Sequence, residues 1–195
     1  MKRITLLSTG TLLVFLFIQC AQQTEKPKND TAETPSAAVV DDVKRGEYLV
    51  QTMGCNDCHS PKIMTPQGPA PDPKRLLSGH PSDEALAPIA DKSVLKGYAL
   101  FSMGLTAGIG PWGTTYAANL TPDDTGLGNW TLEQFGKAVR QGKSKGMDNG
   151  RMLLPPMPWQ NLVNLSDADL KAIWAYLRSI PPVKNVVPAP VPPAG

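Results

Sequence analysis

Twenty prolines divide this chain of 195 residues into stretches that can and cannot form helices. Proline fixes φ and removes a backbone donor, so a helix interior excludes it. Seven fall between Ser60 and Ala90: Pro61, Pro66, Pro69, Pro71, Pro73, Pro81 and Pro88. No long helix can run there, and the stretch reads as an ordered, wrapping loop. Pro188, Pro190, Pro192 and Pro193 mark residues 183–195 as an extended, disordered tail. Helices are left three windows. Asp41 and Asp42 offer an N-cap to the first, whose face carries Val43, Gly46, Val50 and Met53 and which stops at Gly54. In the second, Thr131-Leu132-Glu133-Gln134 fits a capping box. Its stripe is Leu132, Phe135 and Val139, and Gly142 ends it. The third starts at Ser166-Asp167-Ala168-Asp169, places Leu170, Ile173, Trp174 and Leu177 at helical spacing, and ends at Pro181-Pro182. Residues 93–103 suit a short helix or a hairpin arm, and Gly104–Gly113 reads as glycine-rich turns.

The chain holds three cysteines, an odd number that excludes a framework of fully paired intramolecular disulfides. One of them closes the leader. Met1-Lys2-Arg3 is a basic start, Ile4 to Ile18 is apolar, and Gln19-Cys20 follows. An apolar core of that length suits an export signal and is short for a bilayer span. The pattern resembles a bacterial lipoprotein signal, which implies acylation at Cys20 and a periplasmic, membrane-tethered protein. The bulky Phe17-Ile18-Gln19 departs from the small residues usual before such a cysteine. The expected organisation is a signal peptide over 1–19, a flexible tether over 20–42, a folded domain over 43–182 and the tail. Loss of the leader removes Lys2 and Arg3 and no acid, so the 19 basic residues fall to match the 17 acidic ones. A formally neutral domain gives no sign of a nucleic-acid binder, which needs a clustered basic surface.

The other two cysteines lie in Cys55-Asn56-Asp57-Cys58-His59, a C-x-x-C-H motif. Two thiols at this spacing can reach the two vinyl groups of one porphyrin and form thioethers, and the following histidine then stands under the ring as proximal iron ligand. The motif has other readings, half of a zinc site or a thiol redox pair. A zinc site wants further ligands, and the only other histidine is His80. An export leader agrees with haem c, which is assembled outside the cytoplasm. For the sixth iron position the chain offers Met157, between prolines in Leu153-Leu154-Pro155-Pro156-Met157-Pro158-Trp159, where the backbone has little freedom left to lose. Met152 and His80 compete with it.

Helix, C-x-x-C-H, long connection, methionine loop and amphipathic last helix come in the order of the single-domain cytochromes c. The chain resembles that family, and most of all the cytochrome c domains of membrane-associated dehydrogenase cytochrome subunits. The strings that carry the likeness are Ala118-Asn119-Leu120-Thr121-Pro122-Asp123, Thr125-Gly126-Leu127-Gly128-Asn129-Trp130-Thr131, Leu154-Pro155-Pro156-Met157-Pro158-Trp159 and Ala175-Tyr176-Leu177-Arg178-Ser179-Ile180-Pro181-Pro182. The resemblance implies an all-α fold, with first and last helices crossing at Gly46 against Trp174 or Tyr176 around one covalent haem, and a long Pro-rich insert. It implies His59 and Met157 as axial ligands. Arg140 is the leading candidate for a haem propionate, followed by Asn119 and Trp159, and Trp112, Tyr116 and Trp130 are candidates for lining the pocket.

The function these features lead to is single-electron transfer by a monohaem cytochrome on the periplasmic side of a bacterial membrane, tethered by lipid. Its partners would be redox proteins such as a membrane dehydrogenase or oxidase. Two alternatives stand beside it. One is a cytochrome subunit of a specific dehydrogenase or oxidase complex. The other is a haem sensor or peroxidase with an open sixth position.

Overall fold

The computed structural model describes residues 37–193, with side chains from Asp41 onward. Cys20 and the leader lie outside the described residues. Four helices occur among them: α1 (Ala37–Thr52), α2 (Cys55–His59), α3 (Leu132–Gln141) and α4 (Asp167–Ser179). Helix α1 thus begins within the stretch expected to be tether. None of these helices is long and apolar enough to cross a membrane.

The core forms where α1 and α4 pack together. Val50 is fully buried, and Leu170, Ile173 and Leu177 of α4 join it with Phe135 of α3, Leu77 and Leu127. The helices approach closely because Gly46 has no side chain. Its absent Cβ would meet the backbone of Ala172 and the Cβ of Tyr176, so the neighbours are Ala172 and Tyr176 and not Trp174. Arg45 closes the same interface by donating from Nε and Nη2 to Asp169, at 3.0 and 2.8 Å. The capping boxes behave as their residue types dictate. Thr131 accepts from the Gln134 N–H while the Gln134 side chain accepts from the Thr131 N–H. Ser166 accepts from the Asp169 N–H. Gly142 ends α3 in the left-handed region.

An all-α fold is not what the chain adopts. Two antiparallel sheets stand between the helices, making the architecture mixed. The first is a hairpin of β1 (Lys62–Thr65) and β2 (Gly68–Pro71), with Lys62 opposite Pro71 and Thr65 opposite Gly68. The second has order β3-β4-β5, from Leu100–Phe101, Ala107–Gly110 and Gly113–Tyr116. Leu100 faces Ile109, and Ala107 faces Tyr116. The strands are short, and β2 and β4 are rich in glycine and proline, residues that sheets normally deplete. That composition is why the sequence reads as loops and turns. Residues 93–103 hold both options it left open, a 3₁₀ turn over Lys92–Lys96 and the arm β3.

The C-terminal segment also departs from expectation. Residues 183–191 are tied to the domain. The Asn185 amide donates to the carbonyls of Ser78 (2.7 Å) and His80 (2.8 Å) and accepts from the Ser82 N–H. The Val183 and Asn185 N–H groups donate to the hydroxyls of Thr121 and Thr125. Val191 exchanges both backbone bonds with Thr114. Prolines exclude helix here, but they do not stop a chain from hydrogen bonding where a non-proline residue faces a partner.

Candidate haem site

Helix α2 is a single turn that carries the whole motif. Gly54 precedes it with φ 71°, a left-handed conformation that lets the chain leave α1 and re-enter helix at once. Cys55, Cys58 and His59 are all half-buried, and neither thiol is in a disulfide. Burial pushes the Cys55 thiol up to about 11, and burial raises Cys58 as well. A nucleophilic redox pair needs the opposite shift, toward thiolate. Among the described residues no cluster of three or more His, Cys, Asp or Glu side chains is arranged to hold a metal ion, so the zinc reading finds no further ligands.

His59 is oriented by one bond. Its Nδ1 lies 2.8 Å from the Ala118 carbonyl oxygen, which can only accept, so Nδ1 carries the proton. The lone pair is therefore on Nε2, the nitrogen for iron. Burial lowers the His59 pKa, which favours the neutral ring a metal needs. The main chain reinforces this. The Gly79 N–H donates to the His59 carbonyl at 2.7 Å, and Gly79, with φ 80°, lies so close to Ala117 and Ala118 that a Cβ would collide with their backbone.

The methionine loop is positioned from the strand that ends just before Ala117 and Ala118. Thr115 in β5 donates its hydroxyl to the Pro155 carbonyl at 2.7 Å. Gly108 in β4 makes room for the Pro156 ring, which a Cβ there would meet at 2.7 Å. Met157 is half-buried just beyond these contacts, and its rival Met152 is 42% exposed. Strand β5 and the two residues after it thus hold both expected ligand segments, His59 through Ala118 and Met157 through Thr115.

Other expected residues fall elsewhere. His80 is fully buried, with Nε2 donating to the Glu84 carbonyl and Nδ1 accepting from the Thr106 hydroxyl. Both ring nitrogens are engaged, and the ring leans on Tyr116. Asn119 is 3% exposed; its amide donates to Thr125, Val183 and Asn185 and accepts from Thr121. It fastens the C-terminal segment. The Trp159 ring covers Gly142 at the end of α3. Arg140 donates from Nη1 to Asp167 at 2.7 Å, while its Nε is buried without a partner. Among the described residues, Trp112 Nε1 is the other buried side-chain donor left unpaired. Buried donors are rarely left so, and a carboxylate ligand is one way to satisfy them. The sequence did not single out Thr115, Gly108 or Ala118. Only a strand assignment for 107–116 would have exposed them.

The residues present therefore fit a haem c: paired protonated thiols on one turn, an imidazole with Nε2 available, a thioether in a braced loop, and two buried donors suited to propionates. Known proteins agree. The gluconate 2-dehydrogenase cytochrome c subunit of Pantoea cypripedii is 35% identical over 155 residues, 75% of this chain and 26% of that protein. The fructose dehydrogenase cytochrome subunit of Gluconobacter japonicus is 32% identical over 150 residues, 76% of this chain and 23% of that protein. The chain is related to dehydrogenase cytochrome c subunits. The cytochrome c subunit of the quinone alcohol dehydrogenase of Gluconobacter oxydans is 32% identical over 143 residues, 72% of this chain and 22% of that protein. The chain thus spans about a quarter of the length of these relatives. No family model matches it. Cytochrome c relatives imply haem c as the cofactor, and this chain has a single C-x-x-C-H at which to attach it.

Proposed function

We propose that this cytochrome is the electron-transfer component of a dehydrogenase system, holding one haem c on Cys55 and Cys58 with His59 and Met157 as axial ligands. The similarity to named dehydrogenase cytochrome subunits over three quarters of the chain supports the subunit role above that of a free carrier. The observation that carries the haem assignment is the Ala118 bond to His59 Nδ1, which leaves Nε2 for iron beside the two thiols. When bound, haem c supplies a reversible one-electron couple. The chain's residues do the rest. Cys55 and Cys58 would hold the ring covalently. Ala118 holds the imidazole in one tautomer, and Thr115 holds the loop from which Met157 approaches. Trp112 Nε1 and Arg140 Nε would donate to propionates. A thioether ligand raises the reduction potential, which suits acceptance of electrons from a dehydrogenase.

Export and lipid attachment at Cys20 belong to this reading, and would place the domain on the periplasmic side of a membrane near its partner. Fatty-acid labelling of the full chain that is lost in Cys20→Ala tests that part. The site is tested on the full chain produced with its haem attached. A pyridine haemochrome assay should count one haem per chain. The oxidised spectrum should be low-spin, with the long-wavelength band of thioether-to-iron charge transfer, and Met157→Ala should abolish that band. Loss of the band in Met152→Ala instead would refute the ligand assignment. A high-spin spectrum with ready carbon monoxide binding would favour an open sixth position.

A further inference from the structure

Lys62 lies three residues beyond His59, at the start of β1, and its side chain turns back onto α2. The ammonium donates to the carbonyls of Ser60 at 2.5 Å, Asp57 at 2.9 Å and Asn56 at 3.2 Å, and lies 3.3 Å from that of Gly104. Asn56 and Asp57 separate the two haem-binding cysteines, and Ser60 follows His59. The last carbonyls of a helix have no intrahelical partner, and here a lysine supplies one. Every hydrogen-bond partner of this ammonium is a backbone carbonyl, so none of them neutralises its charge. The side chain is half-buried at a groove also lined by Pro61, Ile63, Met64, Met103 and Glu84, whose carboxylate forms no ion pair with it among the described residues. Partial withdrawal from water pulls the Lys62 pKa below its ordinary value, with the Asp57 carboxylate acting against that.

We propose that Lys62 is a positioning residue that also sets the potential of the haem site, by fixing one positive charge against the carbonyl end of the attachment helix. This rests on the haem reading above. A nearby cation favours the oxidation state of lower positive charge, and half-burial weakens solvent screening. Lys62 therefore raises the reduction potential. Its link to Gly104 also ties α2 to the turn before β4.

The test is potentiometric titration of the haem-loaded full chain as wild type, Lys62→Arg, Lys62→Gln and Lys62→Met. Glutamine keeps N–H donors for the α2 carbonyls and removes the charge, so it separates the two roles and serves if the methionine variant fails to fold. Removal of the charge should shift the oxidised-to-reduced ratio about tenfold toward the ferric form, about 59 mV for a one-electron couple. Arginine should stay with the wild type. The inference is overturned if Lys62→Gln keeps the wild-type potential, or if Lys62→Arg falls as far as Lys62→Gln. A wild-type chain without covalent haem would instead refute the function proposed above, whereas loaded variants of unchanged potential refute only the role of Lys62.

Discussion

Replacing Gly46 by alanine is the sharpest probe of the helix packing. The new Cβ would collide with the carbonyl oxygen of Ala172 and lie 2.6 Å from its carbonyl carbon and 2.8 Å from the Cβ of Tyr176. Two of these are backbone atoms of α4, so no rotamer change relieves them. The helices must move apart by about 1 Å or more, and a close-packed core cannot follow without losing contacts. Val50, Leu170, Ile173 and Leu177 meet across or beside this interface. Overpacking costs about 1–3 kcal/mol, sometimes more. Alanine returns about 1 kcal/mol through its better helix propensity. With a backbone obstacle the upper end applies, so the net loss should be about 2 kcal/mol or greater. Denaturant unfolding of the haem-loaded chain, followed by far-ultraviolet circular dichroism, measures it. Gly136→Ala is the matched control, because its Cβ would meet only the Leu170 Cδ2 at 3.1 Å, the end of a movable side chain. That variant should stay within about 1 kcal/mol of wild type. A Gly46→Ala protein as stable as wild type would refute the reasoning.

Thr115→Val should weaken the thioether band and cost about 1 kcal/mol in denaturant unfolding, since it leaves the Pro155 carbonyl without its donor. Asn185→Ala removes the side-chain bonds to Ser78, His80 and Ser82 and should cost about 2 kcal/mol by the same assay, whereas a mobile tail would predict no change. Hydrogen bonds from the Arg75 side chain and the Lys74 N–H hold the Asp72 carboxyl below its ordinary 3.8. A depressed folded value means that its stabilisation is complete above 3.8 and is lost as pH falls through the folded pKa. The acid branch of stability should therefore be shallower in Asp72→Asn, and equal slopes would count against this linkage.

The sequence announces its helices because caps are local chemistry. Thr131 with Gln134, Ser166 with Asp169 and the glycines at 54 and 142 act over a single turn, and the structure shows them doing so. The C-x-x-C-H motif is equally local, and so its chemistry was legible, although the single helical turn that carries it lies outside the three windows left to helices. The sheets were not. Gly68-Pro69-Ala70-Pro71 and Ala107-Gly108-Ile109-Gly110 lack the β-branched alternation that marks a strand, and only pairing with neighbours makes them one. The roles of Asn119 and His80 were hidden for a related reason. Each is fixed by partners far along the chain, Val183 and Asn185 for the first and Thr106 for the second. Gly46 shows the middle case, since its place in a close crossing was readable but its partner Ala172 was not.

The path from His59 to Met157 runs through Ala118, Thr115 and Pro155 and bypasses residues 85–99 altogether. Lengthening a surface loop is cheap, about 0.6 kcal/mol for each doubling. Insertions or deletions in that stretch would therefore leave the span between the two ligand segments unchanged. A lineage built on this domain can redraw the outline it shows to other molecules while the electronic properties of its centre stay constant.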